Sequence, residues 1–279
     1  MAKSQNSDSD DSFQKSNCSS CCNLSYKTRG VMTVVGAVIL MLYLGCFFLW
    51  ANISIYVLSY FHEFHPDSSY GFIFIVDSML VLFNWCGYWI GVYLFQNLKW
   101  NPKFIILLGC GMALVGVYLS SYTKRLATYL PLYCLLNGLG CGMNYLVPLI
   151  CGWEWFPERK GLVSGLTLGG YGFGSFIFSL VSTKLVNPEG KSAEIEDPNN
   201  KDVKFFTPDV ADRVPMMLRT LVYIWAGFVF VAVLLISRRP QKENSLSAST
   251  VTENTDVNIT DDNVSQISGQ PVSDHHITK

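Results

Sequence analysis

Six stretches of this 279-residue chain are long and apolar enough to demand hydrocarbon around them. They run over 31–60, 71–95, 104–121, 128–151, 161–186 and 216–237. A helix of about 20 apolar residues crosses a hydrocarbon core about 30 Å thick. Backbone in lipid must also satisfy its own N–H and C=O groups, which a helix does. The expected fold class is therefore all-α membrane, with six transmembrane helices. The first, second, fourth and fifth runs exceed the minimum and predict tilted or bent helices. Residues 1–30 and 238–279 are rich in Ser, Asn, Asp and Thr and predict disordered tails. A long polar loop, 187–215, joins the last two spans.

Composition and charge narrow the function. Half the residues (50%) are hydrophobic and only 15% are charged, where a soluble domain carries about a quarter. A net charge of -1 offers no basic surface for nucleic acid. The polar segments hold no nucleophile–base pair, metal cluster or phosphate loop, so no enzyme, cofactor or metal is expected. The lipid bilayer is the first partner implied.

Orientation follows from the basic residues of the short loops. With a cytosolic N-terminus, the inner flanks carry Lys27, Arg29, Lys99, Lys103, Arg159, Lys160, Arg238, Arg239 and Lys242. The outer loop at 62–70 carries none, and the next outer loop carries Lys124 and Arg125. Both tails are thus expected in the cytosol. The first span is expected to act as its own uncleaved anchor, since residues 1–29 hold no apolar signal core. Glycosylation patterns at Asn17, Asn23, Asn258 and Asn263 then fall on the wrong side of the membrane.

Six of the nine cysteines sit singly in apolar runs, where a thiol behaves as a small hydrophobe. Cys18, Cys21 and Cys22 cluster in the N-terminal tail. Two readings stand for them: reversible palmitoylation beside a membrane, and ordinary free thiols of a cytosolic segment.

Polar residues inside spans are costly and point to function or to helix pairing. Asn52, Tyr56 and Ser59 share one face of the first helix at i, i+4 and i+7. Asp77 and Asn84 lie seven apart on the second. Asn137 and Asn144, with Tyr145 beside the latter, lie seven apart on the fourth. Three polar stripes are what helices around a shared wet path present; interhelical hydrogen bonding is the other reading. Asn52, Tyr56, Asn84, Asn144 and Tyr145 are the candidate path-lining residues, and Asp77 the candidate for proton coupling. In the fifth span Gly161, Gly165 and Gly169 recur every fourth residue, followed by Gly170, Gly172 and Gly174. One bare edge is expected, serving static packing or a surface along which helices slide.

The stretch from Gly138 to Gly174 reads GLGCGMNYLVPLICGWEWFPERKGLVSGLTLGGYGFG. With it the chain resembles the major facilitator superfamily, and within it the monocarboxylate and oxalate/formate antiporter branch. The resemblance covers residues 31–237. It implies transport of a small organic anion by alternating access, with the first and fourth helices lining a central path and the second and fifth flanking it. Two departures stand out. Gln96 falls where the family carries Asp after the second span, and Gly170 where antiporter-type members carry Pro. The family also has two six-helix halves, and this chain carries one. A second copy, a partner supplying the other half, and an incomplete chain are the three alternatives for the missing half. The other reading of function is a non-transporting half-length membrane protein, a regulatory or assembly partner.

Overall fold

The computed structural model describes residues 26–65, 71–197 and 200–239. The tail expectations, with Cys18, Cys21 and Cys22, lie outside the described residues except where Tyr26–Gly30 and Arg238–Arg239 enter them.

Among the described residues, six helices are long and apolar enough to cross a membrane: Lys27–Phe64, Gly71–Gln96, Pro102–Ser120, Leu126–Trp155, Pro157–Val186 and Pro208–Leu235. Most run past the apolar stretch that announces them, because hydrocarbon dictates only the middle of a helix. Local chemistry sets the ends. Asn101 caps the third span by accepting the Lys103 N–H at 3.0 Å, with Pro102 in the first turn. The second span ends where Trp100 N–H reaches back to the Leu94 carbonyl at 3.1 Å. That closure places Lys99 in the left-handed region, at φ 53°.

The bends also have causes. In the fourth span Pro131 opens a π turn over Pro131–Leu136, and Pro148, lacking an N–H, breaks the helix after Tyr145. The first span tightens into a 3-10 turn over Gly45–Leu49. The sixth is interrupted between Pro208–Ala211 and Val214–Leu235. Within the loop expected over 187–215, an antiparallel hairpin pairs β1 (Ile195–Asp197) with β2 (Asn200–Phe205).

Glycines set how the spans meet. Spans two and four touch at the backbone: a Cβ on Gly87 or Gly91 would strike the carbonyls of Leu139 or Met143. In return, one on Gly142 would strike that of Asn84. Both series advance together, so the two helices run parallel. Spans one and five do likewise, through Gly170 on Val38, Gly174 on Leu42, and Gly45 on Tyr171. Span three runs antiparallel to span four, with Gly109 facing Gly140 and Gly116 facing Leu132. Span six lies against spans one and three. Exchanging one with four, two with five and three with six maps these pairings onto themselves.

Spans four and one form the centre, with 67% and 56% of their apolar windows buried. Spans two and five are the least covered, at 17% and 28%. Together these four helices build one face of the bundle, while spans three and six pack together behind it.

Candidate functional site

Across that four-helix face runs a row of aromatic rings. Tyr88 of span two lies 6.4 Å from Tyr145 of span four; Tyr145 lies 5.4 Å from Tyr171 of span five; Tyr171 lies 5.3 Å from Phe48 of span one. The three tyrosines are half-buried and Phe48 is exposed. Trp85 and Trp89, both exposed, extend the row from Tyr88 along span two. Such a row offers hydroxyl donors on an apolar floor, and no Lys or Arg stands in the middle of these four spans.

Of the candidate path-lining residues, Tyr145 is in this row. Asn84 is half-buried on span two, one turn before Tyr88, and Asp77 is exposed on the same helix. The other three are placed differently. The Asn52 amide donates toward span five, to Ser179 O at 3.2 Å, Ser182 Oγ at 3.3 Å and Thr183 Oγ1 at 3.0 Å. Tyr56 is buried and stacks on Phe206 at 4.5 Å. Ser59 next to it accepts the Phe206 N–H at 3.0 Å, so the segment after β2 is fastened over the end of span one. Asn144 is wholly enclosed: its Nδ2 donates to Gly140 O, Cys110 Sγ and Ile106 O at 3.1, 3.2 and 3.4 Å, joining spans four and three. Its Oδ1 is buried and finds no hydrogen-bond donor among the described residues.

The glycine edge of span five divides in two. Gly170 and Gly174 are buried against span one, whereas a Cβ on Gly161, Gly165, Gly169 or Gly172 meets nothing within 4 Å. Adjacent helical residues are about 100° apart, so Gly169 and Gly170 cannot share an edge. One set packs within this bundle; the other lies on the open face.

At the basic end, the chain leaving span six is tied to spans one, two and four. Ser237 exchanges hydrogen bonds with Thr33 and accepts the Trp155 indole N–H at 2.8 Å. Arg238 donates from Nε to Glu154 Oε1 at 3.3 Å and lies 4.7 Å over the ring of Phe95. The Arg238 cation thus uses the ring of Phe95, next to Gln96 at the end of span two, and a carboxylate from span four. Sequence spacing does not show this cluster, since it joins four distant stretches, at Thr33, Phe95, Glu154–Trp155 and Ser237–Arg238. Tyr88 and Tyr171 also went unsingled; Tyr88 is four residues beyond Asn84, which is the signal that could have found it.

No protein-family model matches the chain. Individual proteins do. It is 29% identical to Apicoplast pyruvate carrier 1 of Toxoplasma gondii, over 78% of this chain and 48% of the carrier. A segment covering 30% of the chain is 38% identical to the uncharacterised MFS-type transporter YhjX of Escherichia coli, 20% of whose length it spans. Another, 34% of the chain, is 30% identical to the oxalate:formate antiporter of Oxalobacter formigenes, spanning 22% of it. Over these stretches the chain is similar to transporters of the major facilitator type. It spans about half the length of the pyruvate carrier and less of the other two. With its six apolar helices, it is an integral membrane protein.

Proposed function

We propose that the chain supplies one six-helix half of a carrier that moves a small organic anion, such as a monocarboxylate, by alternating access. The observation that carries this reading is the uncovered four-helix face with its Tyr88–Tyr145–Tyr171 row. Hydroxyls can donate to a carboxylate, and the absence of a mid-span cation on this face leaves the countercharge to a second six-helix bundle. That bundle is a second copy, a partner, or the remainder of a longer chain, and it covers spans two and five. The basic end, with Lys27, Lys99, Lys103, Arg159 and Lys160, faces the cytosol. Asp77, exposed on span two, is the group through which a proton would couple.

Purified protein reconstituted in vesicles is expected to take up a labelled monocarboxylate. Tyr145→Phe and Tyr171→Phe are each expected to cut uptake at unchanged protein level. Background uptake, both alone and beside a two-half relative, would overturn the transport reading. Uptake that appears only with that relative would identify a half-length partner instead.

A further inference from the structure

Behind the open face, spans three and six hold an arginine that none of the expectations uses. Arg219 stands in the second turn of Val214–Leu235, level with the end of span three. Its Nε donates to Ser121 Oγ at 3.2 Å, and its guanidinium carbon lies 4.4 Å from the centroid of the Tyr122 ring. Among the described residues no carboxylate stands within ion-pair distance of it. Asp212 and Glu63 share the electrostatic surroundings of Tyr60 with it. The Tyr118 and Tyr122 hydroxyls are 3.0 Å apart, and Tyr223 packs on Tyr118 at 6.3 Å.

An arginine near the end of a span reaches the headgroup level, where phosphate is the counter-ion that lipid supplies. Nε is engaged here, so the two Nη groups remain as a planar fork, which matches two oxygens of a phosphate. The Tyr122 ring against the guanidinium holds that fork in place. Of the paired hydroxyls, one proton is used between them and one is left to donate. Tyr122 and Tyr223 are 56% and 65% exposed, and Leu119 beside them 43%; these rings sit where interfacial aromatics meet lipid headgroups. We propose that this surface between spans three and six binds the phosphodiester of a membrane phospholipid, with Arg219 on two phosphate oxygens and Tyr223 along the upper acyl chain. The apolar surroundings favour a lipid over free phosphate.

The test is native mass spectrometry of the purified full chain, titrated with phosphatidylglycerol, phosphatidylcholine, diacylglycerol or inorganic phosphate. Both phospholipids are expected to be retained as a single tight adduct and diacylglycerol not. Arg219→Gln is expected to weaken retention about tenfold, with Arg219→Lys in between because it keeps the charge and loses the fork. Equal retention of diacylglycerol by the wild type would overturn the proposal, even if the glutamine variant fails to fold. So would unchanged retention in a folded Arg219→Gln, or displacement of the lipid by equimolar phosphate.

Discussion

Gly174→Ala and Gly169→Ala put the same methyl group on the same helix, and the expected effects have opposite signs. At Gly169 the new Cβ meets nothing within 4 Å. There the substitution simply replaces a poor helix former by a good one, a gain of about 1 kcal/mol. At Gly174 the Cβ would lie on the Leu42 carbonyl oxygen, 2.7 Å from its carbon and 2.8 Å from the Leu42 Cα. Carbon atoms rest about 3.5–4.0 Å apart, so spans one and five must separate by about 1 Å. No rotamer can relieve the clash, because the obstacle is backbone, and parting also loosens Gly45 on Tyr171 and Gly170 on Val38. Overpacking of this kind costs about 2 kcal/mol, which outweighs the propensity gain and leaves a net loss of about 1 kcal/mol. The two variants should therefore differ by about 2 kcal/mol, close to 30-fold in the folded-to-unfolded ratio. Reversible unfolding in mixed micelles, followed by tryptophan fluorescence, reads this difference. A Gly174→Ala protein as stable as the wild type would refute the packing argument. A Gly169→Ala protein that loses as much stability would refute the assignment of that edge to the open face.

Three further outcomes are expected. Asn52→Leu severs span one from the Ser179–Thr183 turn; two amide hydrogens make at most two bonds at once, so the loss is about 1 kcal/mol by the same unfolding assay. Glu154→Gln removes the carboxylate under Arg238, costs about 1 kcal/mol at this half-exposed pair, and speeds amide exchange at Ser237–Arg239. Lys99→Gly relieves a side chain held at positive φ and raises stability by about 1 kcal/mol, seen as a higher unfolding midpoint; no change would mean the turn is not strained.

The existence of the six spans was legible because hydrocarbon imposes a length and a composition that few other folds satisfy. Their ends were not, since helices such as Lys27–Phe64 continue into polar turns where caps and neighbours decide. The stripe of Asn52, Tyr56 and Ser59 was read correctly as one helix face, yet periodicity says nothing of what covers a face. Span five covers Asn52, and the Phe206 segment covers Tyr56 and Ser59. The glycine edge failed for a geometric reason: a run at 161, 165 and 169 cannot include 170 and 174 on a helix of 3.6 residues per turn. Arg219 stayed hidden because it lies at the start of an apolar run, where a single charge barely alters the mean.

The pairing pattern also bears on how such a bundle can move. Spans three and six each have two neighbours across the back of the bundle, while spans two and five are each held chiefly by one, span four and span one. Those two seams are backbone on backbone, built from Gly87, Gly91, Gly138 and Gly142 on one side and Gly45, Gly170 and Gly174 on the other. A seam with few interdigitated side chains offers little ratchet against a small tilt or shift, because no knob must leave its hole. Directional restraint then falls on the polar links that cross it. For span five the main one is the Asn52 amide, bonded within the Ser179–Thr183 turn, more than a turn beyond the Gly174 crossing. Asn52→Leu should therefore do more than lower stability. Cross-linking between cysteines placed on spans one and five beyond that crossing should broaden in range, whereas the same measurement between Val35 and Leu166, which line one cavity on the other side of the seam, should stay narrow. Equal broadening at both levels would mean that the glycine seam, and not the amide, sets the position of span five.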